Sequence, residues 1–429
     1  MTSDRNQIQG AIIEILLEMV GELDLDFEDP MSGETRLIAD LGFASVDFIH
    51  LIVEIETRFD RKMGFHDLIM PNGRYVDDLP ISELVDFVGE RLSGLEEANE
   101  PPLIPAAELA ASAGPFLSAE DIASFRRMMP RIDWIKSAPE TPLPRMLFVL
   151  SAPRSGSTLL RVMLAGNERL FAPPELYLLN YRTMDQRHRA LSNEENDHLL
   201  TGTVRAVMQL ENCTVADAEQ IVQRFEDEQS PTEAFYAYLQ RILSGQMLVD
   251  KTPIYPMDPS VLQMAETQFD TPLFIHLVRH PCGMVRSFLE AKMERMIPFM
   301  RESGFSGRQL AELTWLTANA NIADFLGSIP RERQLLLRYE DLVRDPAGAC
   351  AQICALVGIP LCADMLDPYD DQKSRMTDGL DRADQFGGDL KFHLHDRIEP
   401  DAADRWKAYE SEQSLNIETR ALAATLGYS

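Results

Sequence analysis

Long apolar runs, cysteines and a cleavable leader are scarce or missing in this sequence. No stretch approaches the ~18 consecutive apolar residues that a membrane-spanning helix needs. The first residues, MTSDRNQIQG, are polar, and a helical pattern follows them where a secretory signal would have an apolar core. The 429 residues include only 5 cysteines, and Cys350 and Cys354, one helical turn apart, have no His or Cys partners that would complete a metal site. These features predict a cytoplasmic protein with reduced thiols, no membrane segment and no metal.

Positive charge is scarce as well. The chain has 40 Lys and Arg against 69 Asp and Glu, which gives a net charge of −29. A chain this acidic is repelled by the phosphates of nucleic acid, so we expect no nucleic-acid partner. The charge is also uneven, because residues 1–100 carry 23 acidic and 7 basic residues, a difference of −16. A strongly acidic segment beside a more balanced remainder indicates two domains.

The N-terminal segment has the pattern of a small helical domain. Apolar residues recur at helical spacing in NQIQGAIIEILLEMV and again in the second half of LIADLGFASVDFIHLIVEIETRF. A short helix or turn near 64–70 and a helix near 80–92, with Pro80 at its start, complete a predicted four-helix bundle. We assign residues 1–95 to this bundle, residues 96–117, which are rich in Pro, Ala and Glu, to a linker, and residues 118–429 to a second domain.

The second domain has the pattern of an α/β fold. Four short apolar runs, MLFVL (146–150), MLVD (247–250), LFIHLVR (273–279) and QLLLRY (334–339), are separated by helical stretches. Continuous apolar runs of this length are typical of parallel strands that are buried on both faces. The sequence therefore predicts a central parallel sheet flanked by helices.

The motif DLGFASV, residues 40–46, lies where a helix of the bundle begins, and Ser45 stands at that helix start. A phosphodiester on this serine would lie at the positive end of the helix dipole. The motif resembles the modification site of acyl carrier proteins, and the resemblance covers roughly residues 5–93. It implies that a separate phosphopantetheinyl transferase attaches a 4′-phosphopantetheine arm to Ser45. Ala44 replaces the Asp that often precedes the serine, and a plain helix N-cap is the alternative for Ser45.

A loop without lysine joins the first apolar run of the second domain to a Leu-rich helix. Residues 152–160 read APRSGSTLL, whereas a kinase-type P-loop reads G-x-x-x-x-G-K-(S/T). A glycine lets backbone N–H groups approach an anion at the helix start. The loop resembles the 5′-phosphosulfate loop of sulfotransferases, which use 3′-phosphoadenosine-5′-phosphosulfate (PAPS) and need no metal. The resemblance implies a P-loop-like sulfotransferase domain that binds PAPS through Arg154, Ser155, Gly156, Ser157, Thr158 and Leu159.

Three further segments match the same family in the same order. LFIHLVRHPCGMVRSFLEA places Arg279 at a strand end and Ser287 eight residues later, and the family binds the 3′-phosphate of PAPS with this pair. LVDKTPIY places Lys251 after a strand, where the family has its active-site Lys. LLRYEDLVRDP matches the family's Tyr-Glu-Asp-Leu stretch and adds Tyr339 to the predicted PAPS site. The alternatives are a surface ion pair for Arg279 and a core position for Tyr339.

The resemblance also implies catalytic residues. LFAPPELYLL places Glu175 where tyrosylprotein-type sulfotransferases and their polyketide-synthase relatives have a catalytic Glu. Glu175 would take the proton from an acceptor hydroxyl, while Lys251 and Arg154 stabilise charge on the transferring group. The alternative for Glu175 is a solvated carboxylate that caps a helix. His395 and His393 lie near the expected C-terminal lid and are further candidates, with a structural role as their alternative.

The pairing of the two motifs resembles the carrier–sulfotransferase pair of polyketide synthase terminal modules. It implies sulfonyl transfer to a hydroxyl, the β-hydroxyl, of an acyl chain on the phosphopantetheine arm. The implied partners are the acyl-phosphopantetheine substrate, an upstream synthase, and a thioesterase in trans unless the sulfate is the end product. The alternatives are N-sulfonation, an acceptor that Ser45 does not carry, an ATP-dependent phosphotransferase, which the missing Gly-Lys-(Ser/Thr) disfavours, and a non-catalytic scaffold that presents the arm.

Overall fold

The computed structural model describes two compact units, Met1–Glu108 with Arg382–Gln385, and Leu109–Asp381 with Phe386–Ser429. The residues that it describes are 5–22, 31–37, 39–41, 51, 54, 55, 58, 59, 61, 63, 65, 68, 78–93, 117–129, 141–193, 196–291, 293, 300, 303–369, 397–408 and 410–428. The units divide within the predicted linker, residues 96–117, of which only Leu117 is among the described residues. The domain boundaries themselves stay a prediction.

Two helices of the first unit are described from end to end, α1 (Arg5–Glu22) and α2 (Ile81–Ser93). Both lie where the sequence indicates helices, and Pro80 directly precedes α2. Their apolar faces meet in one buried cluster, in which Ile8 and Ile12 of α1 share a core with Leu84 of α2. Ser45, most of the helix predicted after it, and most of the turn near 64–70 lie outside the described residues, so the four-helix bundle stays a prediction.

The second unit is built on a parallel five-stranded sheet, as the sequence predicts. The strands have the spatial order β2-β3-β1-β4-β5 and are all parallel to their neighbours. Their bounds are β1 (Leu147–Leu150), β2 (Leu170–Phe171), β3 (Met247–Asp250), β4 (Leu273–Val278) and β5 (Gln334–Arg338). Leu147 at the start of β1 pairs with Val249 of β3 and with Leu273 of β4. The short edge strand β2 is the one that the sequence analysis did not predict.

Alternating residues of the inner strands are buried on opposite faces of the sheet, which explains why these strands are apolar throughout. Phe148 of β1 and Phe274 of β4 stack on one face with ring centroids 5.8 Å apart. Val149 and Ile275 face the other side. The described helices that cover the sheet and complete the unit are α3 (Ala119–Met128), α4 (Ser157–Ala165), α5 (Met184–Leu191), α6 (Thr201–Glu211), α7 (Val215–Asp227), α8 (Thr232–Ile242), α9 (Pro259–Thr267), α10 (Pro281–Glu290), α11 (Gly307–Leu326), α12 (Tyr339–Arg344), α13 (Pro346–Val357) and α14 (Ile417–Thr425).

Helix α11 supports the end of strand β4, where part of the site lies. Its fully buried Trp315 donates an indole hydrogen bond to the backbone oxygen of Arg279 at 2.8 Å. One turn further along α11, Asn319 bonds the buried His276 of β4 at 2.9 Å. These two contacts fix β4 against α11. The backbone of Arg279, which follows the strand, is therefore held rigidly.

The described residues contain no helix that is long and apolar enough to cross a membrane. All five cysteines belong to this part of the chain and are free thiols; Cys350 and Cys354 are buried. Among the same residues, no cluster of three or more His, Cys, Asp or Glu has the arrangement of a metal site.

Candidate active site

The site residues that the structure describes follow the carboxyl ends of the five strands. Across the sheet from β2 to β5, the order is Glu175, Lys251, the loop 151–156, Arg279 and Tyr339. Neighbouring strands lie about 4.8 Å apart, so these positions span roughly 20 Å along one edge. The parallel sheet thus brings together segments that are far apart in sequence.

The loop after β1 makes a sharp turn before helix α4. Arg154 has φ 62° and Gly156 has φ 86°, so two residues of the turn are left-handed. Only glycine fits the second position, because a Cβ on Gly156 would overlap the ring of Tyr339. The tyrosine that follows β5 therefore packs directly on the loop, and its ring requires a glycine there.

Buried hydroxyl groups line the loop. Ser151 and Ser155 are fully buried, and their Oγ atoms have no hydrogen-bond partner among the described residues. Ser157 and Thr158, in the first turn of α4, are buried as well. An unpartnered buried hydroxyl costs about 1–3 kcal/mol. An anion at the start of α4 would accept hydrogen bonds from such groups and from the backbone N–H groups of the first turn, so these residues fit a phosphate or sulfate group.

Arg279, Ser287 and the loop form one connected cluster. The Nη1 of Arg279 donates to the backbone oxygen of Arg154 at 3.1 Å, and the Nε of Arg154 donates to Ser287 Oγ at 3.2 Å. The guanidinium of Arg279 also lies 4.5 Å from the ring centroid of Tyr339, within cation–π range. Four of the nine residues that the sequence assigns to the PAPS site, Arg154, Arg279, Ser287 and Tyr339, are therefore linked by contacts, although the link from Arg154 to Ser287 was not predicted.

Glu175 and Lys251 form a buried ion pair at the other end of this edge. The Oε1 of Glu175 lies 2.5 Å from Lys251 Nζ, and the two side chains are only 9% and 1% exposed. Burial lowers the pKa of Lys251, and the carboxylate of Glu175 opposes that shift. Glu175 is thus paired with a cation and is not a solvated helix cap.

Tyr177 holds the second oxygen of the same carboxylate. Its hydroxyl donates to Glu175 Oε2 at 2.5 Å. Burial, together with the charge of Glu175, raises the pKa of Tyr177 well above its ordinary value, so the phenol keeps its proton. Tyr177 has φ 52°, a strained conformation for a residue with a large side chain. Tyr177 was not among the predicted site residues. Its position in the sequence, two residues after Glu175 and in a segment that begins with two prolines, is the feature that could have indicated it.

Behind Lys251, Asp250 is the centre of a buried network of hydroxyl groups. Thr252 donates to its Oδ1 at 2.9 Å, and Tyr255 donates to its Oδ2 at 3.0 Å, where Tyr236 also donates. Burial raises the pKa of Asp250, while these three hydroxyl groups stabilise its charged form and lower the pKa. The quoted segment LVDKTPIY contains three of these four residues, but their spacing alone does not reveal that they converge.

Helix α4 connects the loop 151–156, called the anion loop below, with the segment that carries Glu175. Arg161 of α4 is buried and donates to the backbone oxygen of Ala172 at 2.9 Å. Its charge also contributes to lowering the pKa of Lys251, after the larger effect of burial. The loop and the Glu175–Lys251 pair are thus parts of one site. The remaining candidates, His395 and His393, lie outside the described residues, as Ser45 does.

Comparison with known proteins gives the class. The model of the sulfotransferase family matches residues 144–364, which include every site segment described above. The sulfotransferase domain from the curacin biosynthetic pathway is 35% identical, and the match covers 67% of this chain and 99% of that domain, with a TM-score of 0.63. The sulfotransferase domain of the Synechococcus PCC 7002 olefin synthase is 38% identical over 68% of this chain and 98% of that domain, with a TM-score of 0.61. The chain belongs to the sulfotransferase family.

A more distant relative is the nodulation protein NoeE of Sinorhizobium fredii (strain NBRC 101917 / NGR234). It is 27% identical over 235 residues, which are 51% of this chain and 51% of that protein. The chain therefore spans about half the length of this curated relative.

Proposed function

We propose that this protein transfers a sulfonyl group from PAPS to a hydroxyl, the β-hydroxyl, of an acyl chain that is held on the phosphopantetheine arm of a carrier domain. The observation that carries the proposal is the buried Glu175–Lys251 pair, which lies at the same sheet edge as an anion loop with unpartnered hydroxyls. A base beside an anion site is the minimum that transfer to an alcohol requires.

On the donor side, the site presents hydroxyl groups, backbone N–H groups and guanidinium groups, which suit the anionic groups of PAPS. The loop and the first turn of α4 suit the 5′-phosphosulfate, and Arg279, Ser287 and Arg154 suit the 3′-phosphate. The guanidinium of Arg279 lies 4.5 Å from the ring centroid of Tyr339 and bonds the backbone oxygen of Arg154. Both contacts restrict its movement, which favours two-pronged binding of a phosphate. PAPS supplies an activated sulfonyl group and a 5′-phosphate that leaves readily.

The acceptor side follows from the order of residues along the edge. Glu175 accepts the proton of the hydroxyl as the new S–O bond forms. The bond from sulfur to the 5′-phosphate oxygen breaks, and the electron pair stays on that oxygen. Lys251 lies between Glu175 and the loop along the sheet, so its ammonium group is placed to stabilise the negative charge that develops on the sulfonyl group and the leaving phosphate. No metal enters this scheme.

The choice of a carrier-bound acyl acceptor rests on the motif at Ser45 and on the comparisons. The two solved structures to which this chain is similar come from the curacin pathway and from an olefin synthase, and both names support a role in polyketide or related natural-product biosynthesis. An arm on Ser45 would raise the local concentration of the acceptor without altering the roles of the site residues. The competing assignments are N-sulfonation and sulfonation of an acceptor that Ser45 does not carry.

The substitution Glu175→Gln tests the chemistry. Gln keeps the shape and an oxygen that accepts from Lys251, but it cannot take a proton. We expect kcat to fall by about 10²–10⁴-fold, the usual worth of a general base, while the affinity for 3′,5′-adenosine bisphosphate (PAP) stays near that of the wild type. Steady-state kinetics and calorimetric titration measure the two quantities.

Glu226→Gln is the matched control. Glu226 is also buried, and its Oε2 lies 3.1 Å from Nδ1 of His188, but it lies on helix α7. Its loss should leave kcat near the wild-type value. A Glu175→Gln variant with near-wild-type kcat would move the base elsewhere, and His395 and His393 would be the next residues to test.

A further inference from the structure

Tyr255 joins the two segments that carry the catalytic pair. Its hydroxyl is 3.0 Å from Asp250 Oδ2, and Asp250 directly precedes Lys251. The hydroxyl oxygen of Tyr255 also accepts hydrogen bonds from the backbone N–H groups of Leu178 at 3.1 Å and Leu179 at 3.3 Å, in the segment that carries Glu175. One phenol oxygen thus bonds the chain on both sides of the Glu175–Lys251 pair.

The segment that carries Glu175 needs such support. It has no regular secondary structure between β2 and α5, and it includes the left-handed Tyr177. A strained residue persists only where the surrounding structure holds it. The buried Arg187 of α5 donates to the backbone oxygen of Leu176 at 2.9 Å, which fixes one side of the strained residue. Tyr255 fixes the other side.

We propose that Tyr255 is a positioning residue that sets the separation of Glu175 and Lys251, and thereby the placement of the base. The proposal rests on the proposed function, because it assigns Tyr255 a role in that reaction. Tyr255 is 1% exposed, so it acts through the backbone of residues 178–179 and through Asp250, and not by contact with the acceptor.

The test is a double-mutant cycle in the full chain. Sulfonyl transfer from PAPS to 3-hydroxyacyl-pantetheine thioesters is measured for wild type, Tyr255→Phe, Glu175→Gln and the double variant. Displacing a catalytic group by about 1 Å costs up to about 10²-fold, so Tyr255→Phe should lower kcat by about that amount and leave PAP affinity unchanged. In the Glu175→Gln background the same substitution should have almost no further effect, because the base that it positions is already gone.

Tyr236→Phe is the matched control. It removes a second hydroxyl from Asp250 and from the same buried cluster, but within the described residues the Tyr236 hydroxyl makes no hydrogen bond to the segment that carries Glu175. Its kcat should stay near the wild-type value. Asp250→Asn keeps the Tyr255 hydroxyl and weakens its anchor, so it should lower kcat less than Tyr255→Phe does and also lose its effect in the Glu175→Gln background.

Amide hydrogen exchange gives a readout that does not depend on activity. Tyr255→Phe should speed exchange at Leu178 and Leu179, whereas Tyr236→Phe should not. An equal drop in kcat for Tyr255→Phe in both backgrounds, or faster exchange at these amides with unchanged kcat, would overturn the proposal. A normal kcat for Glu175→Gln alone would instead refute the assignment of the base, which separates the two failures.

Discussion

The anion loop can pack against the ring of Tyr339 because residue 156 is a glycine and has no side-chain methyl group there. Gly156→Ala would introduce a clash with the ring of Tyr339 and would place an alanine at φ 86°. The loop or the ring must then move, and a displacement of about 1 Å lowers binding or rate by up to about 10²-fold. We expect PAP affinity, measured by calorimetry, to fall to that extent.

Gly245→Ala separates the clash from the backbone strain. Gly245 has φ 83°, and a Cβ there would meet nothing within 4 Å. Both variants lose about 1–2 kcal/mol of stability to a left-handed alanine, so the melting temperature should fall in both, and further in Gly156→Ala, which adds the clash with Tyr339. Only Gly156→Ala should lose PAP affinity; equal affinities would contradict the role assigned to the contact with Tyr339.

Arg279 gives a second prediction for a single residue. Arg279→Ala removes a charge-assisted contact that is worth about 1.5–3 kcal/mol, which corresponds to roughly ten- to a hundredfold in affinity. PAP binding should weaken by this factor, whereas binding of adenosine 5′-monophosphate, which lacks the 3′-phosphate, should hardly change. Calorimetry with both ligands makes the comparison.

The control for Arg279 is Arg145→Ala. Arg145 is exposed and lies just before β1, at the opposite edge of the sheet, where it bonds Thr271. The Arg145→Ala substitution removes the same charge away from the site, so the affinities for PAP and for adenosine 5′-monophosphate should both stay unchanged. Equal losses of both ligands in Arg279→Ala would mean that Arg279 acts by holding the backbone of Arg154, and not by binding the 3′-phosphate.

Among the elements, helix α6 fixes the segment of Glu175 by close packing. Gly202 lies in its first turn, and a Cβ there would overlap the backbone oxygen of Glu175. Alanine in place of glycine normally stabilises a helix by about 1 kcal/mol. Gly202→Ala should nevertheless reduce kcat, because the added methyl displaces the backbone of Glu175 and thereby disturbs its pairing with Lys251. Activity and melting temperature are the measurements.

Gly10→Ala, in helix α1, shows the effect of the same change without a neighbour. Nothing lies within 4 Å of a Cβ at Gly10. This variant should be stabilised and should keep its kcat. Should Gly202→Ala behave in the same way, the packing of α6 would have no part in placing Glu175.

The elements also show how far the sequence predicts the fold. Strands β1, β3, β4 and β5 are predictable because each is an apolar run between helices. Strand β2 has two residues, Leu170 and Phe171, which is too short for any periodicity to emerge. The loop, Arg279 and Tyr339 follow predicted strands, so the parallel sheet brings them together at its carboxyl edge.

The contacts around Glu175 could not be predicted in the same way. The ion pair joins residues 76 positions apart, and the hydroxyl of Tyr255 reaches a backbone 76–77 positions away. Such pairings depend on the path of irregular segments, which local sequence does not determine. The motif around Lys251 nevertheless contains Asp250 and Tyr255. The sequence thus identifies these residues, but it does not show that their side chains meet.

At the scale of the whole molecule, the charge is divided unevenly along the chain. Residues 1–100 carry −16 of the total of −29, and the structure separates a unit of similar extent from the remainder. An acidic carrier approaches basic patches on its enzymes by electrostatic steering. The proposed function joins such a carrier and its sulfotransferase in one chain.

The most direct test of this account is intact-protein mass spectrometry of the full chain. A promiscuous phosphopantetheinyl transferase and 3-hydroxyacyl-coenzyme A are used to attach a 3-hydroxyacyl-phosphopantetheine arm to the wild type, with release of 3′,5′-adenosine bisphosphate, and PAPS is added after the loaded protein has been purified. We expect first the mass of one acyl arm and then, only with PAPS, the mass of one further SO₃ group. Ser45→Ala should gain neither, and Glu175→Gln should gain the arm but the SO₃ group far more slowly. An arm on the Ser45→Ala variant, or a loaded wild type that gains no SO₃ group from PAPS, would contradict the account.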